Sequence, residues 1–287
     1  VDYAAAAGRW ALVAVLDPEY LLPASVASDG DELPAEDRAP IALLADALHE
    51  RRTDLLPRLL PLVTPHDLGG LLRQGREPAP IAELEWLASA GANLETRDAD
   101  GDTPLFTWFD QAPSAAPAIQ LLLRRGASPA GAGGLARFLA ACVAQDRADR
   151  GLERLALELL DRGADPFGAA AGDPPLTLAV RLGWNQLIAR LVATGIDLDA
   201  RDHQGMTALH LAAALRREPV VRQLILHGAS PAVRAADGQT PLGVALASGR
   251  RDLAEWLVGR QWPLPRRPLQ PSDLPSAATA GDADAVR

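Results

Sequence analysis

The sequence predicts an all-α fold, an α-solenoid of stacked helix-turn-helix units joined by short turns. Three observations carry this. The stretch Gly205-Met206-Thr207-Ala208-Leu209-His210-Leu211-Ala212-Ala213 is echoed about 33 residues later by Gly238-Gln239-Thr240-Pro241-Leu242. Its continuation, Leu224-Ile225-Leu226-His227-Gly228-Ala229, is echoed about 33 residues earlier by Leu191-Val192-Ala193-Thr194-Gly195. Composition agrees: the chain is 48% hydrophobic but only 4% aromatic, a mix that suits short helices packed closely through small side chains. A fixed period of this size means that each unit buries its apolar face against its neighbours and presents a surface rather than an enclosed cleft.

The elements follow in chain order. Ala4–Val13 matches the end of a first helix and the start of a second, and Asp17–Arg38 is a long acidic, proline-bearing link. Ile41–His49 and Asp54–Leu60 read as a helix pair without a turn signature, so residues 1–65 are expected to be degenerate repeats. The main stack is expected over 66–267. Within it Ile81–Ala92 closes one unit, and Asp100-Gly101-Asp102-Thr103-Pro104-Leu105 opens the next, which ends at Gly126-Ala127. Leu135–Ala144 is the following first helix. A lengthened Asp146–Gly151 turn joins it to a second helix that closes at Gly163-Ala164.

From residue 169 the register is regular. Asp202-His203-Gln204-Gly205 reads as a turn with glycine free to take positive φ, and Thr207 caps a helix from Ala208 to about Leu215. Glu218-Pro219 opens the next helix, Val220, Val221, Leu224 and Ile225 give its apolar face, and Gly228 ends it. Pro263–Pro275 is expected to be extended and to replace a finger. Residues 268–287 read as the start of a further, truncated repeat, since Ala277–Val286 matches the same junction as Ala4–Val13. A fragment of a longer array, about seven units with half-units at both ends, is the expectation.

These openings and closings resemble the ankyrin repeat, a β-finger followed by two antiparallel helices with Gly-Ala ending the second. The resemblance is strongest over 169–260 and looser over 66–168. It implies a protein-protein interaction scaffold whose concave face is built from finger tips and the exposed side of the first helix. By register, that face would contain Asp100, Asp102, Trp108, Asp110 and Gln111 in one unit. Further along it would contain Arg181, Arg201, His203, Gln204, Met206, Leu215, Arg234, Gln239 and Ser248. Phe106, Trp108 and Phe109 stand where similar repeats carry His and small residues. Burial in the core is the favoured alternative for these aromatics. The resemblance also places His210 at the signature position that bonds neighbouring backbone.

Chemistry finds little support. Asp98, Asp100 and Asp102 flank Gly101 but lack the order and the closing Glu of a calcium loop, so turn capping is the reading. No His pair has metal spacing on one helix, and Cys142 lies among alanines as a small buried group. Gly131-Ala132-Gly133-Gly134 has no Lys-Ser/Thr after it and reads as a shortened finger rather than a phosphate loop. No catalytic, cofactor or metal site is expected.

The net charge of −9 opposes nucleic-acid binding, which needs a basic stripe. No apolar run approaches 18 residues, so no membrane span is expected within the chain. One cysteine fits a reducing compartment, and a single cytoplasmic chain with a protein partner is the expectation. Export, or tethering by a segment outside the chain, stays open. All 28 basic residues are Arg, which suits either a GC-rich bacterial genome or an exported effector that avoids ubiquitin attachment. A regulatory segment of a larger enzyme or transporter is the rival reading.

Overall fold

The computed structural model describes residues 13, 16–17, 40–49, 56–73, 79–247 and 249. The expectations for 1–12, for the acidic link, for Ser248 and for everything from 250 onward lie outside the described residues. Among those described, every regular element is helical. They are α1 (Pro40–His49), α2 (Leu56–Leu59, continued by a 3-10 turn), α3 (Pro65–Leu71), α4 (Ile81–Ser89), α5 (Pro104–Phe109), α6 (Ala116–Arg124) and α7 (Gly134–Ala144). After them come α8 (Arg150–Asp161), α9 (Pro175–Leu182), α10 (Asn185–Ala193), α11 (Ala208–Ala214), α12 (Glu218–Leu226) and α13 (Pro241–Ala247). Isolated bridges at Ala170–Asp173 and Arg201–Thr207 mark the fingers.

The chain divides into two compact units. One comprises residues up to Trp108 with Pro117–Ala127, the other Phe109–Ala116 with the residues from Ser128 on. In the second unit the pairing is the expected one. α7 packs on α8, α9 on α10 and α11 on α12; along the stack, first helices meet first helices (α7, α9, α11, α13) and second helices meet second helices (α8, α10, α12).

Local sequence accounts for these helices. α8 buries Leu152, Leu155, Ala156 and Leu159, the i, i+3, i+4, i+7 stripe of a helix with one wet face. Asp149 starts it, its carboxylate accepting from the backbone N–H of Gly151 and Leu152, both at 3.0 Å. α12 buries Val220, Val221 and Leu224 and ends at Gly228, whose φ of 100° only glycine takes cheaply. Full burial of each such aliphatic side chain contributes about 1.5–3 kcal/mol over leaving it in water.

Neighbouring units also satisfy each other's helix ends, which otherwise leave backbone groups unpaired. Glu153 Oε1 accepts from the N–H of Gln186 (2.9 Å) and Leu187 (3.3 Å), capping the start of α10. Arg217 donates to Arg181 O in the last turn of α9 at 3.0 Å, and Gln145 donates at 3.0 Å to Ala112 O in the turn that follows α5. The Arg217 guanidinium lies against Gly183, where a Cβ would collide with it; φ there is 77°. Arg216, one period later, takes the same left-handed turn with φ 58°.

Candidate interaction surface

The fingers of the second unit are tied at both base and tip. At the base, the Asp202 carboxylate has no solvent exposure. Its Oδ1 accepts from the N–H of Gln204 (3.0 Å) and Met206 (2.8 Å), and its Oδ2 accepts from Arg181 Nη2 at 2.7 Å. His203 reaches the preceding finger, with both its backbone N–H (3.0 Å) and Nδ1 (2.7 Å) on Asp173 Oδ1. Gly205 meets the next finger so closely that a Cβ would fall 2.7 Å from that of Ala236. Three successive fingers are thereby in contact.

His210 carries the turn-steadying role that the resemblance implied. It is fully buried; its Nε2 donates to Gln239 O at 3.1 Å while Nδ1 accepts from Thr207 N–H at 3.3 Å and lies 2.8 Å from Thr207 Oγ1. This pattern requires the neutral ring protonated on Nε2. Burial pushes its pKa down, opposed by the bond to Gln239 O and by Asp237. The unfolded chain therefore binds this proton more readily than the folded one. The ring's contribution to stability is complete above about pH 6.5, the ordinary histidine value, and is lost as pH falls through the lowered folded pKa. Thermal melting between about pH 7.5 and 5 should show that loss, and His210→Gln should flatten it; an unchanged slope would remove His210 as its source.

The sequence-chosen positions divide by what they touch. Arg201, His203, Gln204, Leu215 and Gln239 are exposed, and Met206 and Arg234 are half-buried. Arg234 donates to Gly238 O at 3.0 Å within its own finger, as Arg97 does to Gly101 O. Arg181 is held by Asp202, so it serves the scaffold first. Asp110 is exposed but forms a two-point pair with Arg137, Oδ1 accepting from Nε at 2.9 Å and Oδ2 from Nη2. Gln111 is half-buried, and its carbonyl accepts from Ser114 Oγ at 2.8 Å.

Trp108 does not belong on this surface. It is fully buried and its Nε1 donates to Leu72 O at 2.8 Å, so the indole closes the end of α3. Its size and lone donor suit a core site, and Phe106 beside it is buried as well. Phe109 is also buried, edge-on to Phe138 with ring centres 6.3 Å apart. Asp100 is exposed and Asp102 half-buried in a finger capped by Asp98, whose Oδ1 accepts from the N–H of Asp100 (3.0 Å) and Asp102 (2.8 Å). Hydrogen bonding to that backbone, above all at Asp102, holds the Asp98 carboxyl below its usual range. Arg73 clamps the same finger, donating to Thr96 O and, at 2.7 Å, to Asp102 O.

Sequence reasoning missed a groove of about 540 Å³ in the second unit. Asp110 and Arg137 stand on its edge, Ala140, Ala141 and Ala144 of α7 form one side, and the finger residues Ala169–Ala171 form the other. The run of small residues on α7 was its only signal. Cys142 points elsewhere. It is fully buried, and desolvation pushes its thiol up to about 12, so no thiolate forms near neutrality. Folded protein should resist maleimide labelling over hours while the urea-unfolded chain reacts at once; rapid labelling of the folded form would contradict this burial.

Comparison with known proteins follows the same stretch. A family model described as ankyrin repeats in three copies matches residues 138–235. Human SH3 and multiple ankyrin repeat domains protein 2 is 42% identical over 88 residues, which is 30% of this chain and 5% of that protein. A putative ankyrin repeat-containing protein of Treponema pallidum is 43% identical over 84 residues, 29% of this chain and 28% of the relative. Arabidopsis thaliana calmodulin-binding transcription activator 3 is 35% identical over 92 residues, 30% of this chain and 9% of that protein. The chain thus spans under a third of the length of each. Repeat period, cross-braced fingers and these matches converge: residues 138–235 form a helical stack that matches ankyrin repeats.

Proposed function

We propose that the chain is a non-catalytic protein-binding module that engages its partner through the finger tips and first-helix face of the second unit. The observation that carries this is the row of fingers joined by His203–Asp173 and Gly205–Ala236, which offers Arg201, Gln204 and Gln239 to solvent on a braced backbone. A finger backbone held this way loses little further entropy on binding, which favours affinity. The alanine-lined groove beside α7 adds an apolar slot next to the Asp110–Arg137 pair. The ionisable pairs described on this face, His203–Asp173 and Arg181–Asp202, brace the fingers. The relatives' printed names place ankyrin repeats inside larger proteins, and a targeting role within a longer polypeptide is the matching reading here. Residence in the cytoplasm as a single chain is part of the same proposal. Among the described residues no helix is long and apolar enough to cross a membrane.

The test is a paired substitution that leaves the braces intact. Arg201→Glu with Gln204→Glu should change stability by no more than about 0.5 kcal/mol, as exposed sites do. It should weaken capture of the lysate partner about tenfold or more, the loss expected when one anchor is reversed in charge and its neighbour is made acidic. Ala193→Glu, on the exposed side of α10, should capture normally. Equal capture by the paired variant would remove this face from the interaction.

A further inference from the structure

The inter-helix turn between α7 and α8 is longer than its counterparts. Arg147, Trp184 and Arg217 each donate their N–H to the carbonyl five residues back, at Cys142, Ala179 and Ala212. After Trp184 and Arg217 a helix begins at once; after Arg147 the chain inserts Ala148 and Asp149 before α8 starts at Arg150. The insertion stands beside the shorter turn of the next repeat, and a cleft of about 760 Å³ opens between them. One wall carries Arg150, Glu153 and Arg154, the other Asn185 and Gln186, and the deeply buried Trp184 lies between. The volume falls within the roughly 300–1,000 Å³ of ordinary binding clefts.

The unpaired groups of this cleft are mostly donors. The Arg150 and Arg154 guanidinium groups are exposed and make no ion pair or hydrogen bond among the described residues. Trp184 Nε1 is buried and has no acceptor. The acid of the cleft, Glu153, is already engaged by the N–H groups of Gln186 and Leu187. Arg150 and Arg154 are four residues apart on α8, so they project side by side, roughly 5–6 Å between Cβ atoms. Carboxylates accept from guanidinium groups in strong, two-point bonds, and two acids one helical turn apart would match the pair. The chain's net charge of −9 disfavours indiscriminate attraction of anions, so binding here would be a property of the local cluster.

We infer that this turn-side cleft is a second binding site, which takes an acidic peptide segment by pairing its carboxylates with Arg150 and Arg154 over Trp184. No finger residue lines it, and it does not depend on the surface proposed above. The test uses the full chain and a fluorescein-labelled peptide with two glutamates four residues apart in an alanine background, read by fluorescence anisotropy. Saturable binding is expected, weakened about tenfold or more by Arg150→Ala with Arg154→Ala and further by Arg154→Glu. Both arginines are exposed, and circular dichroism should show these variants folded. The peptide with glutamines in place of its glutamates should not bind. Arg201→Glu with Gln204→Glu should bind the acidic peptide as the parent does, which separates this site from the finger surface. Equal affinity for parent and Arg150/Arg154 variants would overturn the inference. So would displacement of the peptide by inorganic phosphate at equal concentration, which would mark a general anion site.

Discussion

Replacing Trp108 with alanine is expected to destabilise the protein by about 3–5 kcal/mol, the usual cost of deleting a fully buried aromatic. Two effects add. The cavity left by the indole cannot be refilled by neighbours that are themselves closely packed, and Leu72 O at the end of α3 loses its donor. Trp108→Phe separates them. It keeps most of the apolar volume but removes the N–H, and a smaller loss of about 1–3 kcal/mol follows. Urea denaturation of the three proteins measures both steps. A Trp108→Ala variant within about 0.5 kcal/mol of the parent would mean that the ring is not in the core after all.

The same residue shows where reading from sequence stops. Thr207, Leu209, Gly228 and the run from Glu218 to Leu224 announce their structure because local rules govern them: caps, apolar periodicity and the need for positive φ. α11 and α12 accordingly begin where the sequence put them. The position of Trp108 on a helix was equally plain. Its contact was not, because Leu72 lies 36 positions back in the chain, and that register shifts with every loop of irregular length. The same holds for Arg73 on its finger, for Arg137 with Asp110 and for His203 with Asp173. Each joins residues 27 to 30 positions apart. No local pattern records such a pairing. The Ala148–Asp149 insertion was legible as a longer turn, yet the cleft it opens depends on the turn of the following repeat.

These long-range ties also explain why stability and surface are coupled. Most contacts in a repeat stack run between nearest neighbours, so each unit's order rests on those beside it. Here the coupling passes through polar caps as well as apolar packing. Glu153 caps the start of the next α-helix pair's second member, Arg217 closes the end of α9, and His210 holds the finger that follows it through Gln239 O. A finger is therefore positioned by side chains from the unit before and after. Substituting a brace should cost both folding energy and binding, whereas substituting an exposed tip should cost binding alone.

Asp202→Ala puts that distinction to its sharpest test and is expected to cost about 3–5 kcal/mol. The carboxylate is wholly enclosed, and its loss strands three donors at once: the N–H groups of Gln204 and Met206 and the guanidinium of Arg181, which is only 24% exposed. The charge left on Arg181 without its counter-ion accounts for most of the penalty. Removing it as well, in Arg181→Met with Asp202→Ala, should recover part of the loss, so the double variant should be more stable than the sum of the singles predicts. Asp202→Asn keeps an acceptor for the turn while losing the ion pair, and should fall between parent and Asp202→Ala. Because Gln204 and Met206 hang on this carboxylate, Asp202→Ala should also weaken partner capture, whereas Arg201→Glu with Gln204→Glu should do so with melting unchanged. A four-way urea comparison showing simple additivity would mean that Arg181 and Asp202 stabilise the finger separately rather than as a pair.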